Sequence, residues 1–413
     1  MTTTSDPAAP LPPTPIPRAA IVVLSMAAFG SGMSLRLTDP QLPRLAAEFG
    51  VSLASASYVI TCFSVAYGFS QLFFGPVGDR FGKYLVIAWG CACCALTALL
   101  CAVAPSFSML LAARLLAGAT AASLIPLSMA WIGDVIPYDE RQPVLARFLL
   151  GQILGVSAGV FVGGLAADFL SWRLPFFAVS LGFVLISITL FRLNRQLPDY
   201  ARRTSRVEGA VLARMIREFS QVLSGRWAKV VLATVFIEGM CLYGAFAFIA
   251  THVHVVHGIP LSQAGLLVML FGFGGVLFAV GAGALVRRLG ETGLTRWGAV
   301  IASGALLVTG VAPHWAWAIP GCFLTGLGFY MLHNTLQINA TQMAPERRGA
   351  AVSAFASCFF LGQSLGVGIA GVIADRLGTM PVLVAGAVGM LCVGLNFSRL
   401  QVQRARAGAA AGA

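Results

Sequence analysis

The segment GPVGDRFGKY, residues 75–84, separates two long apolar runs. The residues before it read ITCFSVAYGFSQLFF, and those after it read LVIAWGCACCALTALL. Asp79, Arg80 and Lys83 stand among its glycines, although only 10% of the chain is charged. Because glycine tolerates backbone conformations that other residues avoid, this segment predicts a tight polar turn between two apolar helices.

The composition is that of a membrane protein. The 413 residues are 58% hydrophobic, and the mean hydropathy is +0.85. Soluble domains contain about 25% charged residues, and about 20 consecutive apolar residues span a bilayer. Hydrocarbon cannot satisfy exposed backbone groups, so each span is a helix or part of a closed barrel. Barrel strands would alternate in polarity, whereas these runs do not, so the sequence predicts an all-α integral membrane protein.

Twelve such runs follow one another along the chain. They cover about 19–39, 53–76, 84–104, 107–132, 145–167, 174–193, 229–251, 262–286, 296–312, 316–340, 350–374 and 380–399. The proline-rich start, PAAPLPPTPIP, is typical of a disordered tail, for which we expect residues 1–18.

Basic residues predict the orientation of these spans. If the N-terminus is cytoplasmic, 22 of the 27 Lys and Arg residues fall on the inner side and only three on the outer side. This asymmetry follows the positive-inside rule and predicts an inner-membrane protein with both termini in the cytoplasm. The net charge of +12 then reflects topology and contact with anionic lipid, and no nucleic-acid partner is expected.

The sequence contains little evidence for disulfides, metal sites or nucleotide hydrolysis. The nine cysteines show no disulfide or zinc spacing. Span seven ends with His252, His254 and His257. These histidines form either a metal site or part of a polar loop. We expect a polar loop, because no carboxylate or cysteine accompanies them. Nothing resembles a phosphate-binding Walker loop. We therefore expect no metal, no cofactor and no enzymatic activity.

The chain contains an internal duplication. Residues 75–82 are echoed 208 positions later by residues 283–290, and GQILGV at 151–156 is echoed 211 positions later by GQSLGV at 362–367. Ordered repeats with similar offsets predict two pseudo-symmetric six-helix bundles. The predicted parts are a tail, a first bundle, a linker, a second bundle and a cytoplasmic tail: 1–18, 19–193, 194–228, 229–400 and 401–413.

The linker contains a segment with helical periodicity, VLARMIREFSQVLSG at 211–225. Its apolar residues recur every three or four positions, with Arg214 and Arg217 on the other face. This pattern predicts an amphipathic helix, which could lie on the inner membrane surface or serve as a solvated linker.

Four ionisable residues fall within the spans: Arg36, Asp39, Arg114 and Glu238. A charge at the centre of a membrane helix costs about 2.5–3.5 kcal/mol, so such residues are usually paired or functional. Arg36 and Asp39 could pair, or could extend toward water from the end of span one. Glu238 lies near the midplane, where burial favours the neutral acid; it is either a proton carrier or a partner in a structural hydrogen bond.

Polar residues within the spans are candidates for a substrate cavity. Span ten places His333, Asn334 and Gln337 on one stripe, and Gln152 and Gln363 occupy matching positions in the two halves. Span two adds Tyr58, Thr61 and Tyr67 as weaker candidates. Each of these side chains could instead serve only helix packing.

Several of these motifs resemble the major facilitator superfamily, whose members have twelve helices in two six-helix bundles. Its glycine–acid–basic motif between spans two and three is matched by Gly75, Asp79, Arg80, Gly82 and Lys83, whereas Val77 and Tyr84 depart from it. The segments ARLLAG in span four, GVSAGVFVGG in span five and DPQLP after span one resemble the twelve-span drug:proton antiporter branch. Ala117 and Val160 depart from that branch.

The resemblance implies a function and a role for the turn. Asp79 would bond to a helix N-terminus or a neighbouring arginine and hold the inner ends of the bundles together when the protein opens outward. We expect a monomeric, proton-coupled exporter of drug-like or sugar-like small molecules that works by alternating access. An uptake symporter is the alternative, and Arg114 would suit an anionic substrate there. The other class of protein is a receptor or scaffold without transport. The four charged residues within the spans argue against that class.

Overall fold

The computed structural model describes residues 16–202 and 211–412. The proline-rich tail predicted for residues 1–18 falls almost entirely outside the described residues, as does part of the predicted linker. The described chain is helical, with short connections.

The first half forms eight α-helices. They are α1 (Arg18–Arg36), α2 (Leu42–Phe49), α3 (Leu53–Phe81), α4 (Lys83–Ala102), α5 (Phe107–Ala121), α6 (Leu124–Val135), α7 (Tyr138–Phe169) and α8 (Leu174–Gln196). Serine side chains begin two of them: Ser52 Oγ accepts a hydrogen bond from the Ser55 amide, and Ser106 Oγ accepts one from the Met109 amide. These bonds satisfy amides that have no partner within their own helix.

The second half contains seven further helices. They are α9 (Val211–Ser224), α10 (Arg226–Phe246), α11 (Ile249–His257), α12 (Leu261–Val311), α13 (Ala318–Gln342), α14 (Arg348–Leu377) and α15 (Thr379–Gly412). Helix α9 occupies the position of the predicted amphipathic helix, and its Val222 is buried against the core of the second half. The last helix continues to Gly412, through the segment predicted as a tail.

Spans four and seven are interrupted where the sequence predicted single helices, and span one continues beyond its predicted end at residue 39. Span one consists of α1, a 3-10 turn at Asp39–Gln41 and α2; span four consists of α5 and α6; span seven consists of α10 and α11. Asp39 therefore lies beyond the end of α1 rather than on the same helix as Arg36.

Eleven helical segments in the described ranges are long and apolar enough to cross a membrane. One of them, α12, has 51 residues, and at about 1.5 Å per residue it would greatly exceed the bilayer thickness if it were straight. It turns back at Gly290, where φ is 64° and ψ is 177°. Phe278 and Leu294, on either side of this turn, pack in one cluster with Met331. Helix α12 thus supplies two spans, which gives the predicted twelve.

The turn predicted at residues 75–84 has a counterpart at Gly290. Gly82 is the single residue between α3 and α4, and its φ is 90°. Both glycines adopt backbone conformations that other residues rarely tolerate. The two charged turns therefore end their helices by the same means, 208 positions apart.

The duplication extends to the contacts between helices. Gly118 of α5 packs against the Phe63 carbonyl of α3, and Gly326 packs in the same way against Phe271, 208 positions later. Similarly, α7 approaches the backbone of α1, and α14 approaches that of α10, through glycines. Small residues let membrane helices approach closely, so these positions fix the packing within each half.

The two ends of the molecule differ. The end that carries residues 168–174 and 375–379, here called the sealed end, has helices of opposite halves in backbone contact. Gly164 lies against Leu261 there. The other end carries the turns at Gly82 and Gly290 and is called the open end. Val280 is 83% exposed near it, and Gly75 faces open space. The side-chain hydrogen bonds that join the halves within the described residues lie between the sealed end and the middle of the molecule. We infer from this distribution that the halves separate toward the charged turns and leave a cavity open at that end.

Gly118→Ala tests the close packing of α3 and α5. The added methyl group would meet the Phe63 carbonyl oxygen, so the backbone must move. We expect a loss of about 1–3 kcal/mol, seen as a lower Tm of the purified protein. Gly133→Ala is the matched control, because Gly133 faces open space within α6. Equal melting of both variants and wild type would contradict the packing described.

Candidate functional site

The centre of the second half contains a buried acid and a histidine. The Glu238 carboxyl of α10 is 0% exposed, and its Oε2 lies 2.9 Å from Nδ1 of His333 on α13. The His333 side chain is 17% exposed, so the buried acid is bonded to a side chain that is itself partly accessible. The pair places a carboxyl group and an imidazole, the side chains that most often transfer protons in proteins, within hydrogen-bond distance.

Aromatic rings surround the imidazole. Phe329, Phe359 and Phe355 place their ring centres 4.9, 4.6 and 5.4 Å from that of His333. The neighbouring Phe360 ring contacts Tyr67 of α3, with 4.2 Å between ring centres. The wall between the halves is thus aromatic at this depth, which suits flat apolar molecules.

A second buried group joins the two halves nearer the sealed end. Arg36 Nη1 lies 3.3 Å from Asp39 Oδ2, and its Nη2 donates to Gln363 Oε1 at 2.7 Å. Gln363 in turn donates through Nε2 to Ser64 Oγ at 2.6 Å. The guanidinium carbon of Arg36 also lies 3.9 Å from the ring centre of Tyr243. Arg36 is therefore not extended toward water, and it bonds across the halves.

Arg114 is also buried, but its contacts are structural in kind. Nε donates to the Val59 carbonyl at 3.1 Å, and Nη1 donates to the Ser34 carbonyl at 2.9 Å. The guanidinium lies over the Phe63 ring at 4.3 Å. These bonds tie α5 to α1 and α3, so they fix three helices of the first half. Among the described contacts, Arg114 does not meet Glu238.

Two aspartates at the sealed end bond to helices of the opposite half. Asp168, at the end of α7, accepts a hydrogen bond from the Ser262 amide at the start of α12, at 2.6 Å. Asp375, at the end of α14, accepts one from the Ala54 amide at the start of α3, at 3.0 Å. A carboxylate at a helix N-terminus satisfies an unpaired amide and complements the helix dipole.

These two contacts are related by the internal repeat. Asp375 follows Asp168 by 207 positions, and Ser262 follows Ala54 by 208. The seal continues inward from them as far as Ser357, whose hydroxyl donates to the Gly68 carbonyl. The halves are thus held together from this end to the middle of the molecule, between α7 and α12 and between α3 and α14.

The charged turn at the open end forms no bond across the halves in this structure. Lys83 lies 3.0 Å from Asp79 and 2.6 Å from Asp134, both in the first half. Arg80 is exposed beside the Phe81 ring. The expected contact of Asp79 with the other bundle belongs to the opposite conformation, and it stays a prediction.

The remaining residues predicted to line the cavity are distributed unevenly. Tyr58 is 43% exposed on the surface, and Tyr67 is buried against Phe360. Gln152, Asn334 and Gln337 are half-buried. Gln363 is fully buried in the Arg36 network and is not free to line the cavity.

Sequence reasoning missed the residues that complete these groups. Asp134, Asp168, Asp375 and Ser64 were not singled out. The two aspartates carried a usable signal, because both follow an alanine near a helix end, in GGLAAD and GVIAD, at repeat-related positions. Ser64 and Asp134 gave no comparable signal, since their partners lie on other helices.

The histidines at the end of span seven show no metal arrangement. His252 is buried, and its Nδ1 lies 2.9 Å from Thr379 Oγ1. His254 Nδ1 lies 2.7 Å from the Ile259 carbonyl oxygen. Among the described residues, no group of three His, Cys, Asp or Glu side chains could hold a metal ion.

Comparisons with known sequences agree on one family. The family model described as Major Facilitator Superfamily matches residues 24–367. A bicyclomycin resistance protein homolog of Haemophilus influenzae is 27% identical, covering 85% of this chain and 88% of that protein. The multidrug efflux protein YfmO of Bacillus subtilis is 28% identical, covering 90% and 91%. The puromycin resistance protein pur8 of Streptomyces alboniger is 26% identical, covering 79% and 76%.

Solved structures share the fold. The nucleoside transporter NupG superposes with a TM-score of 0.76 at 13% identity, covering 92% of this chain and 98% of that one. A POT family transporter in complex with 5-aminolevulinic acid superposes with a TM-score of 0.73 at 13% identity, covering 92% and 95%. Together with the family match over most of the sequence and the repeated six-span halves, this establishes that the chain belongs to the Major Facilitator Superfamily.

Proposed function

We propose that this protein is a proton-coupled exporter of small, drug-like molecules that works by alternating access. The observation that carries the proposal is the Glu238–His333 pair, a buried acid whose partner reaches the cavity. Intramembrane ionisable residues are costly and usually mark ion or substrate pathways. A proton is the ion that a single carboxyl–imidazole pair can bind and release.

The environment of the pair supports such a cycle. Glu238 is buried, and its described hydrogen-bond partner is the imidazole of His333, which is partly exposed. A change in the exposure of His333 would therefore change the access of protons to the acid. When the cavity faces the proton-rich side, the pair binds a proton. When the cavity faces the other side, the pair releases this proton to water or gives it up as substrate binds.

The proposed orientation places the open end in the cytoplasm. The basic residues concentrate near the charged turns, as the positive-inside rule requires of an inner-membrane protein with both termini inside. That surface would contact anionic lipid. Each chain has its own cavity and its own acid, so we propose that it works as a monomer.

The direction and substrate class follow from the wall of the cavity and from the relatives. Phe329, Phe355 and Phe359 form an apolar aromatic surface beside the polar stripe of α13. Such a wall accommodates amphipathic molecules without demanding one shape. The names of the relatives concern resistance and efflux, which favours export over uptake.

The alternation would exchange one set of contacts for another. In this conformation, the sealed end is held by Asp168, Asp375 and the Arg36–Gln363 bond. Opening of this end breaks those bonds, and the charged turns would then close the other end. A transporter needs both conformations to be populated, so each set must be weak enough to release.

Glu238→Gln tests the proton site. Glutamine keeps the size and a hydrogen bond to His333 but cannot lose a proton, so the fold and substrate binding should persist. We expect uptake driven by a pH gradient to fall to the level of empty vesicles, while exchange without a gradient continues. The measurement is flux of labelled puromycin or bicyclomycin into proteoliposomes.

Glu291→Gln is the matched control, because Glu291 is an exposed acid at the turn of α12. It should transport as wild type does. Concentration of either compound by Glu238→Gln at the wild-type rate would place the proton elsewhere, with Asp39 the next candidate. Absence of any flux in wild type, with all compounds tested, would instead count against export of this class.

Asp168→Ala and Asp375→Ala test the sealed end. The bond at Asp168 is partly buried and that at Asp375 is exposed. A carboxylate at a helix N-terminus contributes up to about 2 kcal/mol when partly buried and about 0.3–1 kcal/mol when exposed. We therefore expect the ratio of outward-open to sealed molecules to rise up to about thirtyfold for Asp168→Ala and less than about tenfold for Asp375→Ala.

Distances between spin labels on non-natural amino acids at Ser108 and Pro313, both exposed at the sealed end, would report this ratio. Asp199→Ala is the control, since Asp199 pairs locally with Arg202 away from that end. Distance distributions identical to wild type in the double variant would show that the aspartates do not hold the seal.

A further inference from the structure

A groove runs between α1 and α8 on the outer surface of the first half. It has a volume of about 400 Å³ and is lined almost entirely by apolar side chains. Val179, Phe183 and Ile186 form its buried floor, whereas Met26 and Leu185, which are 51% and 58% exposed, form its walls. The groove faces the surroundings of the protein and not the cavity between the halves.

The length of the groove matches one leaflet of a bilayer. Along α1 it extends from Val23 to Met33, which at 1.5 Å per residue is about 15 Å. The hydrocarbon core is about 30 Å thick, so the groove covers about half of it. Val23 lies near the start of α1, so the groove runs from the open-end boundary toward the middle of the membrane.

The place in the second half that corresponds to Gly182 is filled. Gly30 lines the groove, with Gly182 of α8 facing open space across from it. The repeat-related residues are Cys241 and Gly389, and there the cysteine side chain packs directly against the glycine. In the first half Gly30 has no side chain to reach Gly182, and the ring of Phe183 packs against Gly30 instead.

Positive charge lies at the open-end mouth of the groove. Arg18 begins α1, and Arg192 lies three residues beyond the lining residue Thr189 on α8. Both arginines are exposed. By helical periodicity, Arg18 continues the face of Phe29 and Arg192 continues the face of Leu185, so each extends one wall of the groove. Arginine binds phosphate groups through two parallel hydrogen bonds.

We propose that this groove is a binding site for an anionic phospholipid, with an acyl chain between α1 and α8 and the phosphate between Arg18 and Arg192. An apolar channel one leaflet long that ends at two arginines matches the shape and charge of such a lipid. Under the proposed orientation, on which this assignment rests, the groove lies in the cytoplasmic leaflet. The lipid site itself does not depend on transport.

Gly182→Leu would fill the groove. Because nothing lies within 4 Å of a side chain added there, the fold should tolerate it. Native mass spectrometry of the purified protein, titrated with dioleoyl phosphatidylglycerol or dioleoyl phosphatidylcholine, measures occupancy. We expect Gly182→Leu to lose the tightest site for both lipids, and Gly304→Leu, an exposed α12 glycine that also faces open space, to keep it.

Arg18→Ala and Arg192→Ala test the headgroup. Each should weaken phosphatidylglycerol binding about fivefold, which corresponds to about 1 kcal/mol, and weaken phosphatidylcholine binding less, because the choline ammonium already offsets the charge of its phosphate. Arg399→Ala is the matched control, because Arg399 occupies the repeat-related place on α15. An equal loss in Arg399→Ala and Arg192→Ala would show only a general basic surface. Wild-type binding of both lipids by Gly182→Leu would show that the groove is not the site.

Discussion

The guanidinium of Arg36 must find all its partners inside the protein, because the surrounding hydrocarbon offers none. It finds them in both halves at once: Asp39 in the first, Gln363 and the face of Tyr243 in the second. As long as the halves are apposed at the sealed end, these partners engage both terminal nitrogens and the face of the guanidinium, and only Nε has no hydrogen-bond partner. Their separation removes two of these three partners and requires water to enter. The position of Arg36 thus couples hydration of the sealed end to the separation of the halves.

The two halves share their packing but differ in their chemistry. Close contacts such as Gly118 on Phe63 and Gly326 on Phe271 occur at repeat-related positions. The charges do not: Arg114 ties three helices of the first half together, whereas Glu238 and His333 form a pair within the second half. The duplicated halves thus have the same helix packing. One half contains a fixed structural charge, Arg114, and the other contains the acid–imidazole pair.

The sequence predicted those features that depend on local or periodic patterns. Hydropathy gave twelve spans because each needs about 20 apolar residues, and the repeat offsets predicted two related halves. The interruptions of spans four and seven were not predicted, because the apolar runs continue through them. The partner of Glu238 could not be predicted either, since His333 lies on another helix 95 residues away. Pairing of that kind depends on tertiary packing, which a single sequence encodes only indirectly.

The sealed end was the least predictable part. Asp168 and Asp375 read as ordinary polar residues at helix ends, and only the offset that relates them indicates a common role. Gln363 was expected to line a cavity because its counterpart Gln152 lies at the matching position. In the structure its amide is fully engaged by Arg36 and Ser64, so equivalent positions in a duplicated chain need not do equivalent work.

Lys83 has a consequence for the energy balance of the whole cycle. Its ammonium is already held by Asp79 and Asp134 within the first half. Any new partner that Asp79 acquires in the opposite conformation therefore replaces an existing ion pair rather than adding to an unpaired carboxylate. Such an exchange changes the net free energy little, since exposed ion pairs contribute at most about 1 kcal/mol each. If the loop closes the opposite conformation as proposed, the two conformations would differ little in energy on its account, and a modest driving force would be enough to reverse their order.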